Sequence, residues 1–287
     1  MKSYWITIII CVVLSILLLT ICNKSTIEYY TNGEKQHSKI AVITSIYGDY
    51  DNLKIHNNVI NSNLVDWYCF TDNTKIINSN KKTMWKIITT PYHLINGNDE
   101  YKKYKNYYDN VDKKTYNMMS AKYYKIKTHE IDILQKYDYY IWIDGSIFLR
   151  DNFINNMLSL INNGHKLINF KHSARNNVKD EVSYSNQIQK YKNQFLKSQF
   201  LKYLKDKFPD NIGLFEKTVF VKKNENKINN LFDDWWIENL KFSYQDQISY
   251  PYVLWKNNIL PDKIINQNVF NNKDYTYVNY NLMNKHF

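Results

Sequence analysis

Five large β-formers in a row, Tyr139-Tyr-Ile-Trp-Ile143, run straight into one carboxylate, Asp144, and then into Gly145 and Ser146. A run with no polar interruption has no solvent face. It predicts a strand covered on both sides, ending on an acid at a glycine turn. Strands of that kind belong to α/β sheets, which bind ligands just beyond the carboxyl ends of their strands. An acid placed there either caps the next turn or holds a divalent metal and, through it, a diphosphate.

The flanking chain repeats the pattern. Residues 39–45 predict a buried first strand ending in Ile46-Tyr47-Gly48-Asp49-Tyr50-Asp51, a turn able to seat a base and ribose. There Asp49 and Asp51 either contact the nucleoside or simply shape the turn. The three spaced glycines of a dinucleotide fingerprint are absent. Residues 65–71, ending on Asp72-Asn73, and residues 84–89 predict two more strands. Met119, Tyr123, Ile126, Ile133 and Leu134 predict one helix over 117–136, with Lys122 and Lys125 projecting elsewhere.

Further strands are expected at 167–170 and 218–221. A long helix is expected over 179–208, with Ile188, Tyr191, Phe195, Leu204 and Phe208 as its inner stripe. Ile228, Leu231, Phe232, Trp235 and Trp236 mark another helix, in which the two tryptophans are read as core residues ahead of the alternative, platforms for a sugar. A last one follows Gln245-Asp246-Gln247, with Pro251 expected in its first turn. This alternation predicts an α/β fold, a mostly parallel sheet with helices on both faces.

Aromatic content of 16%, with 26 Tyr and 7 Trp, supplies ample core material, while only 6 Gly and 4 Pro exclude a fibrous or disordered chain. The net charge of +11 comes almost entirely from lysine, Arg150 and Arg175 being the only arginines. That balance suits an anionic sugar nucleotide or an anionic membrane surface, and it also follows from AT-rich coding. No basic block interleaved with aromatics appears, so no nucleic acid partner is expected. Cys11, Cys22 and Cys69 show neither metal spacing nor a disulfide framework.

Residues 4–22 form an almost uninterrupted apolar run, long enough to span a bilayer and without a good cleavage site. The expected organisation is an N-terminal transmembrane anchor at 1–22, a short stem at 23–38 and one folded domain at 39–287. The short N-terminal tail places that domain in a Golgi or ER lumen, as in a type II single-pass protein.

Several blocks recur in a recognisable order: Ile40-Ala-Val-Ile-Thr-Ser-Ile-Tyr-Gly-Asp-Tyr-Asp51, Cys69-Phe-Thr-Asp72, Ala121-Lys-Tyr-Tyr-Lys-Ile126, Trp142-Ile-Asp-Gly-Ser146, His172 with Arg175, Gly213-Leu-Phe-Glu216, and Asp246-Gln247 on to Trp255-Lys256. Together, over residues 39–259, they resemble the glycosyltransferase-like domain of the plant TOD1/MUCI70 proteins. The resemblance implies a GT-A-like, Rossmann-type sheet in membrane-anchored proteins. It implies transfer of a sugar from a nucleotide-sugar donor to a glycan or glycoconjugate acceptor. One plant member has been described as an alkaline ceramidase, so a metal-dependent lipid amidase is an alternative. A catalytically inactive glycan-binding domain is another.

The resemblance also implies site roles. Asp144, Ser146 and His172 are expected to hold a divalent metal, Mn²⁺ or Mg²⁺, that neutralises the leaving diphosphate. Many GT-A enzymes use two acids one residue apart, and here Ser146 stands in the second place. Thr44, Tyr47 and Asp72 are expected at the nucleotide. Lys122 either meets the phosphates or lies on a solvated helix face, and Arg175 either grips a phosphate or makes a structural ion pair. Asp246 either caps its helix or addresses the acceptor hydroxyl, a role for which Glu216 competes. His129 and His165 have no visible partners and are read as surface or packing residues.

Overall fold

The computed structural model describes residues 38–59, 63–79, 82–90, 104 and 112–279. The expected anchor and nearly all of the expected stem lie outside these. Among the described residues no helix is long and apolar enough to cross a membrane.

Seven strands form one sheet: β1 (Ile40–Ile46), β2 (Val65–Thr71), β3 (Trp85–Thr89), β4 (Tyr139–Ile143), β6 (Leu167–Lys171), β7 (Phe215–Lys223) and β8 (Lys263–Ile265). Their order is β3-β2-β1-β4-β7-β6-β8, and β5 (Phe148–Leu149) pairs separately with β9 (Thr276–Tyr277). All pairings in the large sheet are parallel except those of β7, which runs antiparallel to β4 and β6. The fold is therefore mixed α/β with a mostly parallel central sheet. The helices are α1 (Thr74–Ile77), α2 (Lys113–Ile126), α3 (Phe153–Asn162), α4 (Val178–Ser185), α5 (Leu196–Lys205), α6 (Asn226–Lys241) and α7 (Asp246–Lys256).

Every residue of β1 and β4 is buried, as a strand without a solvent face must be. Successive side chains point to opposite faces and build two cores. Ala41, Ile43 and Trp142 pack with Met119 of α2, Trp235 of α6 and Val253 of α7. Ile40, Val42 and Ile141 pack with Phe153 and Met157 of α3. Helices thus cover both faces, and Trp235 and Trp236 are core. Each such side chain contributes about 1.5–3 kcal/mol on burial.

Three expectations need correction. The helix expected over 117–136 is α2, which starts earlier, where the Asp112 carboxylate accepts from the Thr115 N–H at 2.9 Å, and stops at Ile126. Two 3₁₀ turns follow, Thr128–Glu130 and Asp132–Leu134, leaving Ile133 exposed. β-Branched Thr128 and Ile131 favour leaving the helix, and the turn brings Glu130 within 2.6 Å of the Lys127 ammonium.

The helix expected over 179–208 is broken into α4, a 3₁₀ turn Gln189–Tyr191, and α5. Phe195 and Leu204 of its expected inner stripe are 46% and 50% exposed. The break turns Tyr191 inward, where its hydroxyl donates to Gln245 Oε1 at 2.8 Å.

Pro251 is the sixth residue of α7, beyond the first turn. It has no N–H for the Gln247 carbonyl, four residues back. Eight of the eleven residues of α7 are buried, and that packing outweighs the lost bond.

β7 also buries two lysines. Lys217 donates to Asn169 Oδ1 at 2.6 Å, and its ammonium lies 3.6 Å from the ring centroid of Tyr250 and 4.0 Å from that of Phe220. Lys222 meets His129 Nδ1 at 2.9 Å. Burial pushes both ammonium groups well below the ordinary lysine range.

Candidate active site

From β1 the chain goes to β2 and β3 on one side, then returns to β4 on the other. The crevice at such a reversal, outside the carboxyl ends of the strands, is where open α/β sheets bind ligands. A cleft of about 280 Å³ lies there, lined by Ser45 at the end of β1, Asp144 after β4 and Asp246 at the start of α7. Gly145 lets these ends approach, since a Cβ on it would meet Ile46 Cγ1 at 3.1 Å and Asp51 Cβ at 3.3 Å. Because β7 runs antiparallel, its beginning reaches the same edge: the Asp144 N–H donates to the Thr218 carbonyl at 2.8 Å. Thr218 and Glu216 line the cleft with Asp144.

A chain of buried charges forms the floor. Lys122 and Lys125, three residues apart on α2, present their ammonium groups together. Lys122 Nζ lies 2.5 Å from Asp246 Oδ1. Lys125 Nζ bridges Asp246 Oδ2 at 2.9 Å and Asp144 Oδ1 at 3.2 Å. The same Asp144 oxygen accepts from the Trp142 indole N–H at 2.6 Å, these two residues sharing one side of the chain.

The balance of burial against partners separates the two lysines. Burial dominates at Lys122, whose one close carboxylate only partly offsets it, and its pKa falls to about 8. Burial acts on Lys125 too, but Asp144 and Asp246 together outweigh it and hold that ammonium above the ordinary lysine value. Burial would raise Asp246, yet the two lysines hold its carboxyl below the usual range. Glu216 goes the other way, burial raising it above an ordinary glutamate. Its Oε2 accepts from Gln247 Nε2 at 3.2 Å, and its Oε1 from the Ser173 N–H at 3.4 Å.

Of the residues expected at the site, Lys122, Asp144, Ser146, Glu216 and Asp246 line this cleft. The solvated-face alternative for Lys122 fails, because its side chain is 9% exposed. Nor does Asp246 cap its helix. Gln245 occupies the cap, and the Asp246 side chain faces the lysines.

The other expected residues lie elsewhere. Asp72 Oδ1 accepts from the Gly48 N–H at 2.7 Å, holding a turn in which Gly48 has φ +61°. Tyr47 lies face to face with Tyr124 and donates to the Thr90 carbonyl, bordering a side recess of about 20 Å³ that shares Ser45 and Tyr50 with the cleft. Thr44 falls on the opposite face of β1 from Ser45. Arg175 Nε donates to Glu181 Oε2 at 2.5 Å, with its guanidinium 3.8 Å from the Tyr184 ring centroid, the structural ion pair allowed for it.

His172 does not join Asp144 and Ser146 in the cleft lining. Its Nδ1 accepts from the N–H groups of Ala174 at 3.1 Å and Arg175 at 2.9 Å. The ring proton therefore sits on Nε2, which faces Glu216 Oε1 at 3.6 Å and Glu181 Oε2 at 3.8 Å. A protonated Nε2 has no lone pair for a metal. Lys125 and Trp142 share one oxygen of Asp144, and with His172 outside the cleft lining and its Nδ1 lone pair spent on backbone N–H groups, the three expected residues are not arranged as one ligand set.

Sequence reasoning missed several contributors. Lys125 carries the signal of its spacing from Lys122. Ser45 sits one residue from the expected Thr44, and its buried hydroxyl has no hydrogen-bond partner among the described residues. Lys190, Tyr191 and Gln247 also line the cleft, and Lys190 and Tyr191 were hidden inside a helix that does not form. His129, read as unpartnered, is held between Asp233 and Lys222. His165 Nδ1 lies 4.0 Å from Asp262 Oδ1.

The chain matches the TOD1/MUCI70 glycosyltransferase-like domain over residues 25–284, and it belongs to that family. No curated protein matches it.

Proposed function

We propose, taking membership of the TOD1/MUCI70 glycosyltransferase-like family as premise, that this protein moves a sugar from a nucleoside-diphosphate donor to a hydroxyl of a glycan or glycoconjugate. The observation that carries the reading is the buried Lys122–Asp246–Lys125–Asp144 chain, open to a cleft at the switch point of the sheet. Clustered ammonium groups at a strand-end crevice suit a diphosphate. A GT-A-like reading of the sheet follows from the same placement.

In the reaction the acceptor oxygen forms a bond to the anomeric carbon and gives up its proton. The bond from that carbon to the phosphate oxygen breaks, and its electron pair leaves with the nucleoside diphosphate. Glu216 is the better base of the two candidates, because burial raises its proton affinity while Asp246 is committed to two lysines. Ser45, Tyr50 and Asp51 lie where the nucleoside would meet the end of β1. Membrane attachment through the apolar run at 4–22, with the domain in a Golgi or ER lumen, completes the reading.

The test is incubation of the full chain with a panel of nucleotide sugars and glycan acceptors, following release of nucleoside diphosphate. Release that depends on Glu216 supports transfer. Donor binding without turnover would favour an inactive binding domain. Failure to bind any donor, together with release of fatty acid from ceramide, would sink the transferase reading.

A further inference from the structure

We infer that the donor diphosphate is neutralised in this protein by the ammonium groups of Lys122, Lys125 and Lys190, and that donor binding needs no divalent cation. This rests on the transferase reading for the identity of the ligand. Lys125 already occupies the place a bridging cation would take, between Asp144 at 3.2 Å and Asp246 at 2.9 Å, with a side chain only 4% exposed. An ion entering there would displace it or meet a like charge at contact distance. His172, expected to complete a metal site, is turned toward Glu216 and Glu181 with its proton between them.

Lys190 supplies the surplus charge. Lys122 and Lys125 are matched by Asp246 and Asp144, whereas Lys190 makes no ion pair or side-chain hydrogen bond among the described residues. It lines the cleft, with its ammonium 4.8 Å from the ring centroid of Tyr191. Its backbone carbonyl and the side chain of the next residue are both held. The Tyr244 hydroxyl donates to the Lys190 carbonyl at 2.6 Å, and the Tyr191 hydroxyl donates to Gln245. A held backbone with an uncommitted ammonium over a cleft is arranged for an anion from outside the chain. As the donor bond breaks, the electron pair stays on the phosphate oxygen and these ammonium groups offset its charge. Lysine acts here as a point charge and needs no coordination geometry.

Calorimetric titration of the full chain with UDP, other nucleoside diphosphates and inorganic diphosphate tests this, once in EDTA and once in Mn²⁺. Binding in EDTA within about threefold of that in Mn²⁺ is expected. Lys190→Gln, which falls on a partly buried side chain, breaks no ion pair among the described residues and so is compatible with folding, should weaken it about tenfold in both media, the size of one charge-assisted hydrogen bond. Lys190→Arg should keep most of it. Affinity that appears only with Mn²⁺, or a Lys190→Gln protein that binds like the parent, overturns the inference and leaves the transferase reading standing. No binding of any nucleoside diphosphate in either medium overturns both.

Discussion

The end of α2 and the residue just past it carry three buried lysines in two different settings. Lys122 and Lys125 meet Asp246 and Asp144 at the floor of a cleft. Lys127 turns the other way, onto Glu130 and Asp233, while His129 sits between Asp233 at 2.8 Å and Lys222 at 2.9 Å. The ingredients are nearly the same, lysines and carboxylates with a histidine added. The second cluster even brings ligand atoms of His129, Glu130 and Asp233 within 4.8 Å of one another. Yet Lys127 already sits on both of those carboxylates, and none of these residues lines the cleft. Charge composition alone therefore does not mark a site. Empty volume beside the charges does, together with groups such as the Ser45 hydroxyl and Lys190 that the described protein leaves uncommitted.

This contrast can be broken experimentally. Lys125→Met should have the largest effect, because it leaves two facing carboxylates unbridged. A loss of about 3–5 kcal/mol is typical for one partner of a buried pair, and turnover of donor should fall about 10³-fold. Turnover within a factor of three of the parent would erase the distinction between the clusters. Glu216→Gln should lower kcat about 10²-fold with donor affinity unchanged, as loss of a general base does. If affinity falls instead, Glu216 belongs to donor binding.

In the second cluster, Lys127→Met should cost about 2 kcal/mol of stability, between the values for exposed and buried pairs because Glu130 and Asp233 are partly exposed. It should shift the melting temperature and leave kcat alone, and a kcat loss comparable to that of Lys125→Met would join the two clusters functionally.

The smallest effect is on pH dependence. Lys122 is charged below about 8 and neutral above it, so donor affinity should fall as pH rises from 7 to 9, and Lys122→Arg should move that fall upward. Asp233 is held down to about 2, burial being outweighed by His129 and Lys127. Its stabilising contribution is present above the ordinary carboxylate value and lost only as pH falls through about 2. Melting temperature should therefore show no matching step from Asp233 between pH 7 and 9.

The strands were legible because burial on both faces writes itself as unbroken apolar runs. The first is expected at 39–45 and forms at Ile40–Ile46, and the second forms where expected, at Val65–Thr71. Helix ends were less legible. Apolar residues at Ile133, Phe195 and Leu204 fit a helical stripe in sequence, but the chain leaves the helix to serve contacts far away, such as Tyr191 with Gln245. At the site, acids at strand ends could be read from local pattern. The lysines were only half legible: Lys122 was a candidate with a solvated face as its alternative, and Lys125 had no signal beyond its spacing from Lys122, because their partner Asp246 lies more than a hundred residues on, 121 from Lys125. The Asp72 carboxylate shows a structural partner that local pattern did not reveal, for a related reason. A turn held by Gly48 needs an acceptor as much as a nucleotide needs a contact.

That separation bears on how the chain is made. A ribosome delivers Lys122 and Lys125 well before it delivers Asp246, and until then two ammonium groups on an otherwise buried helix face lack their main counter-charge. Burying them early is unfavourable, so the α2 face stays open until α7 arrives to close it. The last helix to dock is then the one that completes the site. A nascent chain stalled before residue 246 should stay open to proteases along α2, while one released after it closes in a single late step.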